Sequence, residues 1–243
     1  MGRTIIVGDV HGCRAELEAL LDRTAHAQGD QLVFVGDLVA RGPDSPGVLE
    51  VARRTGAVIV RGNHEEKLLR HRRAQREYKK GKHKRPKPLG PVHAAVARAL
   101  DADDWALLER TPLSFDLPTH RARVVHAGLL PGTAFEDQDP RWLLTIRAVT
   151  QSGEPVEMGP GALWGSRYQR PPHVIFGHNA QRATQLHRWA TGLDTGCVYG
   201  GALTALVLSP GQEVPADVDE RKRLLVAVAA ARAYYELPRR RAV

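Results

Sequence analysis

The stretch Thr4-Ile5-Ile6-Val7-Gly8-Asp9-Val10-His11-Gly12 decides the fold: an apolar run ends at a glycine, and a carboxylate and an imidazole follow within three residues. The same grammar recurs twice. Residues 32–35 lead into Gly36-Asp37, and residues 58–60 lead into Gly62-Asn63-His64-Glu65, with amphipathic helices expected over 14–25 and 45–55 between them. This is a βαβαβ order. Right-handed crossovers make the three strands parallel neighbours whose ends share one edge, where open α/β sheets bind ligands.

Further along, short strands are expected over 113–117, 123–125, 174–176, 185–189 and 202–208, with helices over 92–100, 103–110 and 139–149. Between residues 67 and 87 the chain is strongly basic, with Lys67, Arg70, Arg72, Arg73 and Arg76 followed by a lysine-rich stretch up to a proline-rich break. The expected organisation is one domain over 1–215 with a basic helical insertion at about 66–110. A single amphipathic helix over 217–236 and a basic tail, Arg239-Arg240-Arg241, would then complete residues 216–243.

The chain has 243 residues, 42% hydrophobic and 26% charged, which suits one α/β unit and excludes wholesale disorder. Lys and Arg number 35 against 27 Asp and Glu, a net charge of +8 that favours anionic partners such as phosphate-rich molecules or nucleic acid. Cys13 and Cys197 form no CxxC pattern, so no disulfide framework or structural zinc site is indicated. No signal-peptide core or membrane span is apparent, and a soluble, cytoplasmic protein without membrane contact or obligate protein partner is expected.

Five motifs pair glycines with metal-ligand residue types at strand ends: Gly8-Asp9-Val10-His11-Gly12, Gly36-Asp37, Gly62-Asn63-His64-Glu65, His126-Ala127-Gly128 and Gly177-His178. The glycines let each loop turn sharply, so Asp9, His11, Asp37, Asn63, His126 and His178 are candidates to converge. Six oxygen and nitrogen donors without cysteine suit two borderline-hard divalent ions: Mn²⁺ first, with Co²⁺, Fe²⁺ or Zn²⁺ as alternatives. Asp37, central in the order, is the natural bridge. Two such ions share a hydroxide and neutralise a phosphoryl group during in-line displacement, which points to hydrolysis of a phosphate ester or anhydride.

These motifs resemble the phosphoprotein-phosphatase branch of the calcineurin-like metallophosphoesterases, whose signature reads GDxHG, GDxxxRG, GNHE, HAG and GH. The resemblance implies a four-layer αββα sandwich with two mixed β-sheets. It also implies that Asp9, His11 and His178 hold one ion, that Asn63 and His126 hold the other, and that Asp37 bridges them. By the same resemblance Arg41 binds phosphate and His64 is the general acid, so His64, Arg41 and Asp37 form the catalytic set. Protein phosphatases of the family carry an aspartate immediately before that arginine to orient the acid, whereas this chain has Ala40. A serine alkoxide needs that acid and a nucleoside diphosphate needs it less, so the chemistry tilts toward an anhydride.

The segments 36–43 and Leu193-Asp194-Thr195-Gly196-Cys197-Val198-Tyr199-Gly200-Gly201 resemble the symmetrical diadenosine tetraphosphatases, which cut their dinucleotide into two ADP. The implied partner is a dinucleoside polyphosphate, with 5′-capped RNA as a related substrate. The family also implies a second phosphate-binding arginine between the fourth and fifth motifs; Arg167 is the candidate, with Arg147 and Arg170 competing. The basic run reads either as a solvated helix face or as a wall beside the site. Trp164 and Tyr199 read as core aromatics or as adenine stackers. Cys13 reads as a small buried hydrophobe. His26, His71, His83, His93, His120, His173 and His187 read as surface or core residues. Two rival functions remain: a Ser/Thr or Tyr protein phosphatase, and a basic RNA-binding protein with a vestigial metal site.

Overall fold

Alternation along β1 (Thr4–Val7) divides the apolar core: Ile5 and Val7 face one layer and Ile6 the opposite one, all three fully buried. In β2 (Gln31–Phe34), Leu32 and Phe34 lie on the first side and Val33 on the second. Continuous apolar runs of this kind require a sheet covered on both faces. The computed structural model, which describes residues 2–82 and 84–236, supplies both covers.

β1, β2 and β3 (Val58–Ile59) run parallel in that order, with α1 (Arg14–Arg23) and α2 (Ser45–Arg54) as the crossovers. On its other side β1 pairs antiparallel with β12 (Ala202–Leu208), and β12 pairs antiparallel with β13 (Leu225–Ala229). The second five-stranded sheet is mixed as well. Its order is β10 (Gln185–His187), β11 (Ala190–Gly192), β9 (His173–Phe176), β5 (Ala122–Val125), β4 (Ser114–Leu117).

Between the sheets lie Ile6, Val33 and Val35 of the first and Val124 and Ile175 of the second. Outside the first sheet pack α1, α2, α3 (Asn63–Lys79), α4 (Pro91–Ala99) and α5 (Ala102–Glu109), through Leu17, Val48, Leu68, Val96 and Leu108. Outside the second pack α6 (Pro140–Thr145) and α7 (Trp164–Arg167), where Leu143 and Trp164 meet Val125, Val174 and Phe176. The result is the expected four-layer αββα sandwich. Truncating Ile6, enclosed between the sheets, to Ala costs about 2–5 kcal/mol.

Four local expectations need correction. The helix expected over 139–149 stops at Thr145, because Ala148 and Val149 form β6 (Ala148–Val149). β6 is the centre of a small antiparallel sheet with β7 (Pro155–Val156) and β8 (Ala162–Leu163), which was not expected at all. The strand expected over 185–189 is a hairpin, since β10 turns through Arg188 and Trp189 into β11.

The fourth correction is the single C-terminal helix over 217–236. Only α8 (Val218–Lys222) forms, capped by the Asp217 side chain, which accepts from the Glu220 N–H at 2.8 Å. The chain then extends into β13, because Leu225, Val226 and Val228 find apolar partners against the sheet and satisfy the otherwise open edge of β12. The basic tail Arg239–Arg241 lies outside the described residues.

Candidate metal centre

Every expected ligand sits where a strand gives way to a turn or helix. Asp9 and His11 follow β1, Asp37 follows β2, Asn63 opens α3 after β3, His126 follows β5, and His178 follows β9. His11, Asp37 and His64 offer ligand atoms within 4.8 Å of one another, and so do Asp37, His126 and His178, so the two groups share Asp37. Asp37 Oδ2 stands 3.6 Å from both His11 Nε2 and His126 Nε2. Asn63 Oδ1 lies 3.0 Å from His126 Nε2 and 2.8 Å from His178 Nδ1.

The allocation of His178 beside Asp9 and His11 is not what the structure displays. Its ring lies with Asn63 and with His126, 5.0 Å between centroids, while its backbone N–H donates to the Asp9 carboxylate at 3.0 Å. Asp9 meets the main chain of the Gly177-His178 turn, and a side chain at Gly177 would collide with the carboxylate. Gly62 is held open likewise, because a Cβ there would strike the Asp37 carboxylate and backbone nitrogen.

The imidazoles are oriented from behind. His11 Nδ1 lies 3.1 Å from the Val39 carbonyl and His126 Nδ1 lies 3.0 Å from that of Val35. A carbonyl only accepts, so both rings carry their proton on Nδ1 and turn the Nε2 lone pair toward Asp37. These donors fit a pair of borderline-hard divalent ions: one shared carboxylate, lone pairs converging on it, an amide oxygen and no thiolate.

The loop carrying Asp37 is held by a residue that the motif reading quoted without a role. Glu65, fully buried, accepts the backbone N–H groups of Asp37 and Gly62 at 2.9 Å on one oxygen, and those of Leu38 at 2.9 Å and Val39 at 3.2 Å on the other. Asp37 in turn accepts the His64 N–H at 2.9 Å. His11, Asp37, Ala40, Arg41 and His178 have φ of +49°, +52°, +73°, +70° and +64°. Each such non-glycine residue costs about 1 kcal/mol or more, so the surrounding bonds over-determine a strained loop.

Burial sets the charges. It raises the Asp37 carboxyl to about 7 and the Glu65 carboxyl to about 7, the latter with help from the Asp37 charge. Burial and then the neighbouring Asp194 and Asp37 charges hold Asp9 well above the usual carboxylate range. Asp194, also buried, is raised to about 6 by burial; it belongs to the site, and only its place in the Asp-Thr-Gly-Cys segment signalled it. Burial lowers His126 to about 4, and burial with the Arg41 charge lowers His11 to about 3. These shifts put protons on carboxyls rather than on imidazoles.

Arg41 Nη1 donates to His11 Nε2 at 2.9 Å, and its guanidinium sits 5.6 Å from the Tyr199 ring and 5.8 Å from that of Tyr235. The C-terminal segment therefore reaches the site: Ala231 N–H and the Tyr234 hydroxyl both donate to Glu16. Arg167 is exposed and makes no hydrogen bond or ion pair to the site among the described residues, whereas the Arg147 charge bears on Asp37, His126, His178 and Asp194. Arg170 points elsewhere, to the Thr133 carbonyl. Trp164 is a core residue, 1% exposed, donating from Nε1 to the Ala127 carbonyl at 3.0 Å. Cys13 and Cys197, remote in sequence, are free buried thiols that lie together beside Glu16. His93, read as a bland histidine, packs on His64.

Residues 2–200 match the family described as calcineurin-like phosphoesterase. A relative from Halalkalibacterium halodurans, bis(5′-nucleosyl)-tetraphosphatase PrpE [asymmetrical], is 30% identical over 83% of this chain and 88% of its own. A symmetrical bis(5′-nucleosyl)-tetraphosphatase from Chromohalobacter salexigens is 34% identical over 86% of this chain and 96% of its own. Among solved structures, a candidate diadenosine tetraphosphatase superposes with a TM-score of 0.77 at 35% identity, covering 94% of both chains.

Proposed function

As the chain belongs to the calcineurin-like phosphoesterase family, we propose that it hydrolyses dinucleoside polyphosphates at a dimetal centre, cutting diadenosine tetraphosphate into two ADP. One observation carries the reading: two ligand groups share the Asp37 carboxylate. Asp9, His11 and Asp37 would hold one divalent ion, and Asp37, Asn63, His126 and His178 the other. Mn²⁺ is the ion assigned, and Co²⁺, Fe²⁺ or Zn²⁺ suits the same donors. Bound there, the ions supply an activated water and neutralise phosphoryl charge.

The remaining work falls to the chain. Arg41, steadied by Tyr199 and Tyr235, offers a planar fork to phosphoryl oxygens. Arg147 is proposed as the second phosphate-binding arginine in place of Arg167, because its charge acts on the carboxylates and imidazoles of the site. His64 faces the leaving group. Among the described residues its Nδ1 is buried without a hydrogen-bond partner, and no carboxylate bonds to the ring. Such an acid suits a nucleoside diphosphate, which departs as a stabilised anion, better than a serine or tyrosine oxygen. This weighs against the protein-phosphatase reading. The same anhydride chemistry extends to the 5′ end of capped RNA. The intact donor set weighs against a vestigial site.

Two buried free thiols accord with a reducing compartment, which supports the cytoplasm as the proposed location. Among the described residues no helix is long and apolar enough to cross a membrane. The test is incubation of metal-free protein with diadenosine tetraphosphate, with and without Mn²⁺, followed by anion-exchange chromatography. ADP as sole product, only with metal, is the expected result; ATP plus AMP overturns the symmetrical assignment, and no turnover overturns the function.

A further inference from the structure

Helix α3 runs away from the metal centre with Asn63 at its first position. One of its faces, spaced at helical intervals, carries Asn63, Lys67, Arg70 and Ala74, and this face lines a cavity of about 780 Å³. The span from Asn63 to Arg70 is about 10 Å at 1.5 Å per residue. Lys67 and Arg70 make no ion pair among the described residues. By contrast Arg72, Arg73 and Arg76, on other sides of the same helix, are paired with Glu109 or Glu66. Lys67 and Arg70 therefore bring unpaired charge to the cavity lining, which also holds Lys87 and the single carboxylate of Glu66.

Leu89, Leu144 and Ala74 add apolar surface to the same lining. Cations and apolar side chains on one lining that begins at Asn63 complement a phosphate chain ending in a flat heterocycle, and the volume lies in the usual range of about 300–1,000 Å³ for ligand sites.

On the reading of the dimetal site given above, we propose that this cavity receives the nucleotide on one side of the attacked phosphorus. Lys67 and Arg70 hold its phosphates, and Leu89 and Leu144 enclose its base. The distance from Asn63 to Arg70 then measures how many phosphates lie between the metals and the nucleoside, and so sets which anhydride bond is cut. The ligand class is a nucleoside di- or triphosphate moiety; a short phosphomonoester ends before Arg70.

The test compares ADP with inorganic phosphate by calorimetry on the Mn²⁺-loaded protein. In the Lys67→Ala/Arg70→Ala double variant the ratio of ADP to phosphate affinity is expected to fall about tenfold or more, since hydrogen bonds to charged groups are worth that much. Ala74→Trp, which fills part of the cavity without removing charge, is expected to lower the same ratio. An unchanged ratio in both variants overturns the cavity assignment, whatever the turnover. A ratio that falls as expected in a protein unable to cleave diadenosine tetraphosphate leaves the cavity standing and overturns the proposed function instead.

Discussion

The imidazole of His93 stacks on that of His64, 4.8 Å between centroids and 23° from parallel. His93 comes from α4, and both rings are buried, with His64 Nδ1 and His93 Nε2 lacking hydrogen-bond partners among the described residues. Burial is the largest cause lowering the basicity of both. The charge of Arg41 on His64, and that of Lys67 on His93, lower it further. The protein thus holds a neutral, stacked imidazole at His64.

Replacing Ala40 with Asp restores a carboxylate beside Arg41. Because an oriented acid helps poor leaving groups most, kcat/KM for p-nitrophenyl phosphate is expected to rise relative to that for diadenosine tetraphosphate, by about tenfold. Parallel assays on both substrates check this. An equal change on the two substrates contradicts the leaving-group argument.

Removing the stack has a separate signature. His93→Ala frees the His64 ring at a cost of about 0.5–1.5 kcal/mol, a two- to tenfold fall in kcat, while His93→Phe keeps an aromatic face and recovers most of it. Steady-state kinetics on the two variants distinguish the cases. Equal losses in both would point to a polar role for His93 instead.

Glu65 positions Asp37 without facing the substrate. Glu65→Gln leaves one oxygen to accept and sets an amide against backbone donors, so Mn²⁺ affinity is expected to fall about 10–100-fold. Calorimetry with Mn²⁺ measures this, and a melting curve separates it from loss of fold. Native Mn²⁺ affinity in a folded Glu65→Gln protein contradicts the assigned role.

Metal binding is expected to release protons, and their source is specific. Asp37 and Glu65 are raised to about 7 and Asp194 to about 6, whereas His11 and His126 are lowered to about 3 and about 4 and are already neutral at pH 6. Asp37 must lose its proton to bind metal, and the added positive charge draws protons from the neighbouring Glu65 and Asp194, so affinity rises from about pH 6 to about pH 8 and levels off above. Titrations in buffers of different ionisation enthalpy record the released protons. Affinity independent of pH over that range contradicts the protonation scheme.

The motif residues were legible because each lies directly after an apolar run, so local sequence places it at a strand end. What the strands bring together from elsewhere was not. His93 is one histidine on an insertion helix, and only the packing of α4 on α3 turns it toward His64. Asp194 and Tyr235 likewise reach the site by tertiary contact, and only tertiary contact favours Arg147 over its rival Arg167. Glu65 carried one local signal, its spacing of three residues from Gly62, where a side chain reaches back to the helix start. At the C-terminus, an amphipathic pattern suggested a helix, and pairing with the open edge of β12 prevailed. The allocation of His178 depended on which way its ring leaves the turn, which spacing does not specify.

The measurement that bears most directly on the dimetal centre is electron paramagnetic resonance of the Mn²⁺-loaded protein, with metal content counted in the same sample. Sharing of Asp37 by the two groups implies two Mn²⁺ per chain about 3.5–4 Å apart, giving a spin-coupled signal that Asp37→Asn abolishes along with nearly all turnover. One Mn²⁺ per chain, two uncoupled ions, or appreciable turnover in Asp37→Asn would contradict a carboxylate-bridged pair.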